Sequence, residues 1–292
     1  MMGDESSITE GQVHLVEMKK KNAREFMQVV KAVAFRETGT FYILEGGLKI
    51  IVDDQHCEQA IAYLSRELFA SIVSREANVC IRLNLASLID SLSILDDPDT
   101  TLKMLYDGYG EPLRVLVEHE GKVVDASINT LTNQHMLDFD FDNASLKARF
   151  ISKAGVLKDA FREFDRSSPT VLFVFNRNEL SMQTHGDIGK VTTTIPATSE
   201  YVEVIECDRP CSFSYRLSLL RKMEKALYIS SRISLRCDTR GIISLQFMVD
   251  AADRNNIFIE FFCVPDNEEV QLSRLALDDP ESEKDLTIQS QQ

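Results

Sequence analysis

Arg82-Leu83-Asn84-Leu85 returns later in the chain as Arg216-Leu217-Ser218-Leu219, 134 positions on. Working outward, Lys21-Asn22-Ala23-Arg24-Glu25-Phe26 corresponds to Val156-Leu157-Lys158-Asp159-Ala160-Phe161 at an offset of 135, and the turn Asp107 to Gly110 recurs at Asp238 to Gly241. Identity is low, but the order and spacing agree at three separated places, which is the mark of an internal repeat. The expectation is two topologically equivalent domains. They run over 12–130 and 143–265, with a connector at 131–142, an N-terminal tail at 1–11 and an acidic, disordered tail at 266–292.

Within the first unit, Gln12 to Lys19, Thr40 to Leu44, Leu48 to Asp53, Ala77 to Leu83, Thr101 to Asp107, Pro112 to His119 and Lys122 to Thr130 read as strands. They are short, rich in β-branched and aromatic residues, and punctuated by glycine turns. Two helical patterns interrupt them: Lys21 to Val33, with Ala23, Phe26, Val30 and Val33 on one face, and Leu85 to Leu95, with Leu88, Leu92 and Leu95. This is an α+β reading, mainly antiparallel sheet. The connector includes Leu137-Asp138-Phe139-Asp140-Phe141-Asp142, whose alternation fits an extended segment docked by one face.

The chain has 292 residues and a formal net charge of −14. That balance opposes nucleic-acid binding only if the charge is evenly spread. It is not. Lys19 to Lys31, Lys147 to Arg166 and Arg216 to Lys225, all read as helical, hold fifteen bases and five acids, a net +10 that leaves −24 elsewhere. Lys20, Arg24 and Lys31 form one stripe, Lys158, Arg162 and Arg166 a second, and Arg221 and Lys225 a shorter third. A basic stripe on a single helix is usually an ordinary solvated face, but stripes at equivalent points of a repeat point to phosphate. No cluster suits base-edge readout, so the expected contact is with duplex DNA, without sequence preference.

Other chemistry has weaker support. The six cysteines form no C-x-x-C pair and read as reduced and structural; Cys207 and Cys211 lack the second pair or nearby histidines of a zinc site. No cofactor and no metal are implied. His14, His56, His119, His135 and His185 are isolated, and Asp53-Asp54 and Asp96-Asp97 read as turns. Asp138, Asp140 and Asp142 could be imagined as a magnesium site for a metal-dependent DNA exonuclease, although a solvated connector needs the same alternation. Ser282 and Thr287 are tail hydroxyls that carry no reading. No apolar run reaches the roughly 20 residues of a membrane helix, and Met1 to Gln12 is polar and acidic, so no membrane is expected and the address is cytosol or nucleus.

The ordered set Arg82 to Leu85, Leu88 to Leu92, Tyr106 to Leu113, Leu137 to Phe141, Asp238 to Phe247 and Phe258 to Asp266 resembles the Rad-one subunit family of the nine-one-one checkpoint clamp, relatives of the proliferating-cell nuclear antigen. The resemblance runs from Gln12 to Glu269. It implies a DNA clamp fold with helices on the pore side and antiparallel sheets outside. The pore helices would be Lys21 to Val33, Leu85 to Leu95, Ala154 to Asp165 and Leu217 to Ala226, the second of them without base. Edge strands 122–130 and 187–196 would pair with two other clamp subunits. The family also implies an ATP-dependent clamp loader, repair and checkpoint proteins as clients beside the connector, and a nuclear location. A homotrimeric replicative clamp and a protein scaffold without DNA contact remain as alternatives.

Overall fold

The computed structural model describes residues 14–54, 57–94, 97–133, 139–251 and 256–266. Both tails, apart from Asp266, lie outside the described residues, as do His56, Asp96, His135, Asp138 and the hydroxyls of Ser282 and Thr287.

The first half contains β1 (Val16–Lys20), α1 (Ala23–Val33), β2 (Thr38–Leu44), β3 (Gly47–Asp54), β4 (Glu58–Ser65), β5 (Ser71–Ser74), β6 (Val79–Asn84), α2 (Leu85–Ser93), β7 (Thr101–Tyr106), β8 (Leu113–His119), β9 (Lys122–Ile128) and the short β10 (Thr130–Leu131). The second half contains β11 (Leu146–Lys153), α3 (Ala154–Glu163), β12 (Thr170–Phe175), β13 (Glu179–Gly186), β14 (Gly189–Pro196), β15 (Val202–Cys207), β16 (Cys211–Arg216), α4 (Leu217–Leu220), a 3-10 turn, α5 (Glu224–Ile229), β17 (Arg232–Asp238), β18 (Ile243–Asp250) and β19 (Asn256–Cys263). With the short β10 set aside, each half is strand, helical segment, five strands, helical segment, three strands.

The repeat is real, but its register differs from the one that residue identity suggests. The first residues of α1 and α3 are 131 apart (23 to 154), those of α2 and α4 are 132 apart (85 to 217), and the turn glycines Gly110 and Gly241, with φ of 89° and 82°, are again 131 apart. Ala23, Phe26, Val30 and Val33 thus match Ala154, Leu157, Phe161 and Phe164, all buried. The offset of 135 lies one helical turn away, since a shift of four residues keeps the apolar stripe on nearly the same face.

Helix starts have local causes. The Asn22 carboxamide oxygen accepts from Glu25 N at 3.0 Å, and Asn84 does the same for Ser87 N at 2.9 Å, so each caps an otherwise unpaired donor. α3 and α4 lack a side-chain cap; the first amide of every one of these four helices donates to a backbone carbonyl, Ala23 N to Thr100 and Leu85 N to Glu37 at 2.8 Å, Ala154 N to Ser231 and Leu217 N to Pro169 at 2.9 Å.

Two helical readings fail where alternation wins. Lys147 to Lys153 is not helix: β11 alternates over Lys147 to Phe150, with Ala148 and Phe150 buried and Lys147 outward, and then buries Ile151 and Ser152 as well. Lys19 and Lys20 belong to β1. The strand β4, unread in the sequence, is paired on both sides and buried on both faces, so it lacks alternation.

All strand pairs are antiparallel. They form sheets ordered β5-β1-β7-β8-β9, β14-β13-β12-β16 and, between the halves, β10-β6-β2-β3-β4-β19-β18-β17-β11-β15. The β4–β19 ladder, from Phe258 opposite Tyr63 to Cys263 opposite Glu58, makes the two halves one continuous sheet. At this seam the second half also reaches across with Lys222, whose Nζ lies 2.9 Å from Asp54 Oδ2, 3.0 Å from Glu58 Oε2 and 5.0 Å from the Phe35 ring centroid. Glu58 is fully buried, and desolvation, opposed by Lys222, pushes its carboxyl up to about 7.

The helices touch one another in a row: α2 packs on α1, α1 on α5, and α5 on α3. Among the described residues, no helix is long and apolar enough to cross a membrane.

Candidate nucleic-acid interface

The helix row positions most of the basic residues that the sequence singles out. Arg24 is exposed on α1, and Lys31 is partly exposed one helix end away. On the other flank, α3 presents Lys158 and Arg162, with exposed Arg166 just beyond its end. Between them, exposed Arg221 lies in the 3-10 turn and exposed Lys225 on α5.

The structure brings five of these bases together around α5. Lys31 and Lys225 line one hollow with Gln28, Glu224 and Tyr228; Lys158, Arg162 and Arg166 line the next with Glu224 and Tyr228. Lys31 and Arg162 are themselves 131 positions apart, the repeat spacing, and so flank α5 from equivalent places on α1 and α3.

Acids temper this face without cancelling it. Arg162 Nη1 lies 3.0 Å from Asp159 Oδ1, and Arg221 Nε 3.5 Å from Glu224 Oε1, both exposed pairs one turn apart and worth little. Lys31, Arg166 and Lys225 make no ion pair among the described residues. Lys158 donates to Ser230 O at 2.9 Å, and partial desolvation, then the neighbouring Arg162 charge, lowers its pKa.

Lys20 departs from the expected stripe. Its side chain is 2% exposed, Nζ lies 2.6 Å from Glu25 Oε2, and it donates to Leu68 O at 3.0 Å. A buried ammonium with these partners supports the β1–α1 corner and does not face solvent. The α2 surface carries no base and exposes Asp90, as expected.

The strands expected to meet neighbours are terminal in their sheets: β9 ends one, β14 another. Their burial alternates in the same way, exposed positions far outnumbering buried ones. The β13–β14 hairpin is held to the end of α3 and the turn after it. Ile188 N donates to Asp165 Oδ2 at 3.0 Å, and Thr193 Oγ1 donates to Glu163 Oε2 at 2.7 Å. The hydroxyl and amide of Ser167, with Ile188 N, hold the Asp165 carboxyl below its ordinary range.

On the connector, Phe139 stacks on Phe262 at 5.4 Å and Phe141 lies 5.6 Å from the same ring. Asp140 points the other way into Arg240, with Nη1 to Oδ2 at 2.7 Å; Arg240 also grips the buried Asp238 at 2.8 Å. Asp142 accepts from Ala144 N at 2.9 Å. The carboxylates of the imagined magnesium site are thus committed to a guanidinium and a turn, except Asp138, which lies outside the described residues. No group of three metal-type ligands occurs among the described residues.

Sequence reading missed Tyr228, 75% exposed beside these bases, and Lys222 at the seam. Tyr228 follows Lys225 by three and Arg221 by seven, a spacing that places it on the basic stripe.

Two repeats of one α+β unit, fused through a shared sheet with their helices in a single row, define a protein of the sliding-clamp class. The family model described as "Repair protein Rad1/Rec1/Rad17" matches residues 15–249, and the chain belongs to that family. It is 37% identical over 260 residues to the cell cycle checkpoint protein RAD1 homolog mrt-2 of Caenorhabditis elegans, covering 89% of this chain and 97% of that one. It is 33% identical over 254 residues to the cell cycle checkpoint protein RAD1 of Homo sapiens, covering 85% and 90%. A more distant relative, the DNA repair exonuclease REC1 of Mycosarcoma maydis, is 27% identical over 220 residues, 57% of this chain and 48% of that one.

Proposed function

We propose that the chain is one of three unlike segments of a DNA-damage checkpoint clamp that closes around duplex DNA. Its two domains, 12–130 and 143–265 joined by 131–142, would each contribute helices to the pore side. The observation that carries this reading is the seam. β4 and β14 are equivalent strands at the repeat spacing (58 to 189, 65 to 196), and β9 and β19 are each the third strand after the second helical segment of their half. Inside the chain, β4 pairs with β19. The free copies of the same two strands, β14 and β9, would repeat that pairing with the next subunit on either side. Such head-to-tail contacts close into rings and remove exposed sheet edges.

Lys31, Lys158, Arg162, Arg166, Arg221 and Lys225, with Arg24, would attract phosphate without reading sequence. Lys20 leaves this set because it is buried and paired. The chain would be opened and closed on DNA by an ATP-dependent loader, act in the nucleus, and recruit repair and checkpoint proteins. We read it as non-catalytic, because Asp140 is held by Arg240. The exonuclease name of the Mycosarcoma maydis relative makes nuclease activity worth one assay, degradation of a labelled duplex with magnesium present, for which no product is expected.

Light scattering tests the assembly. The chain alone is expected as a monomer, and co-expressed with two other clamp subunits of the same organism it is expected as a one-to-one-to-one complex. A stable homotrimer would instead support a self-assembling replicative clamp, and failure to associate would remove the ring reading.

A further inference from the structure

The phosphate-attracting face contains one side chain that duplex phosphates do not call for. Tyr228 is 75% exposed, the most exposed of the described tyrosines. It stands on α5, whose inward positions Ala226 and Leu227 are buried, so the helix is anchored while this ring points away from the core. The two hollows described above meet at it: Lys31 and Lys225 lie on one side, Lys158, Arg162 and Arg166 on the other, and only Glu224 and Tyr228 line both. Glu224 is engaged by Arg221. Lys158 Nζ lies 5.9 Å from the ring centroid.

An aromatic ring set between cations is the arrangement that binds unpaired nucleotides: charge follows the backbone while the ring supplies a stacking surface. A base-paired duplex keeps its bases stacked on one another and offers such a ring only sugars and phosphates. We propose that Tyr228 is a stacking platform for an unpaired base, so that this face engages single-stranded DNA adjoining the duplex as well as the duplex itself. The inference rests on the phosphate-binding reading of the helix row and adds a ligand class to it. The hollow beside Lys31, about 420 Å³, gives a flanking nucleotide room to lie against Gln28 and Ala32.

The test uses the full chain at low salt with two fluorescein-labelled probes, a thymine 12-mer and a 12-base-pair duplex, and with a thymine 12-mer carrying one central 2-aminopurine. Tyr228→Ala is expected to weaken the single strand about tenfold, the effect of losing one stacked base, and to change duplex affinity less than about twofold. Tyr228→Phe keeps the ring and is expected to bind like the parent. Parent protein should quench the 2-aminopurine, and Tyr228→Ala should not. Unchanged single-strand affinity and quenching in Tyr228→Ala, with duplex binding intact, overturns the platform and leaves the phosphate reading standing. Equal losses on both probes also overturn it, because the ring would then act without regard to pairing. Parent protein that binds neither probe overturns the platform together with the phosphate reading.

Discussion

The seam β4–β19 and the open strands β14 and β9 are the same parts of the repeat in two situations. β4 buries six of its eight residues and β19 buries six of its eight, whereas β14 and β9 each bury one. Length and position in the repeat do not explain that difference, since β4 and β14 both span eight residues at the repeat spacing. What differs is the presence of a ladder partner. The sequence has adjusted to it: Ala60, Ile61 and Ala62 line the closed strand, while Val191-Thr192-Thr193-Thr194 lines the open one. Threonine and valine keep β-propensity while tolerating water, as a strand with one edge open to solvent requires.

Proline separates the two situations most sharply. Ala62→Pro removes a ladder bond from a strand paired on both sides, and is expected to cost about 3 kcal/mol or more and prevent folding. Proline placed singly at Val191 and at Thr192 samples amides pointing to opposite sides of β14. One of the two variants should keep the parent's thermal midpoint within a few degrees and yet fail to assemble with partner subunits in size-exclusion chromatography. Equal folding defects in all three would erase the distinction.

Next in size is the charge on the helix row. Neutralising Lys31, Lys158, Arg162, Arg166, Arg221 and Lys225 together is expected to reduce DNA affinity of the assembled clamp by two to three orders of magnitude and to flatten its salt dependence, since each phosphate contact contributes a slope of about −0.9. Binding titrations from low to physiological salt read both quantities. Changing Ser87 and Asp90 on α2 to alanine should alter neither downward.

The seam itself titrates. Because folding raises the Glu58 pKa from 4.5 to about 7, the stability this group contributes is fully present below about pH 4.5 and is lost as pH rises through 7. Glu58→Gln is therefore expected to stabilise the chain at pH 8.5 by something on the order of 2 kcal/mol, with Asp54 left to hold Lys222, and to have little effect at pH 5. Urea midpoints at the two pH values decide it.

A smaller effect should appear at Gly186, where an added Cβ would sit 2.3 Å from Ser167 Oγ and 2.5 Å from Asp165 Oδ2. Gly186→Ala must displace the side chains that seat the β13–β14 hairpin, and is expected to cost about 1–2 kcal/mol. Gly155→Ala, on α3 with open space around it, should be neutral or slightly stabilising in the same thermal melt.

The sequence made the repeat, the α+β class, the two strands that end their sheets and the outward placement of the basic residues other than Lys20 legible, because burial patterns and charge are written locally. It failed where pairing partners decide. Glu58 and Gln59 open β4 as polar residues, and only the β19 ladder and Lys222 make their burial intelligible. Lys20 looked like the start of a helical stripe until Asn22 fixed the helix start beyond it, leaving its ammonium inside the β1–α1 corner. Tyr228 carried only its spacing from Lys225 and Arg221, which gains meaning once the neighbouring helices are placed beside it.

Hydrogen exchange across the assembled clamp tests the central claim most directly. Those amides of 122–128 and 189–196 that point away from β8 and β13 should exchange fast in the isolated chain and become protected in the complex, while 71–74 and 211–216, at the opposite ends of the same sheets, stay unchanged. Protection appearing at 71–74 or 211–216 in place of the two predicted edges would contradict the account.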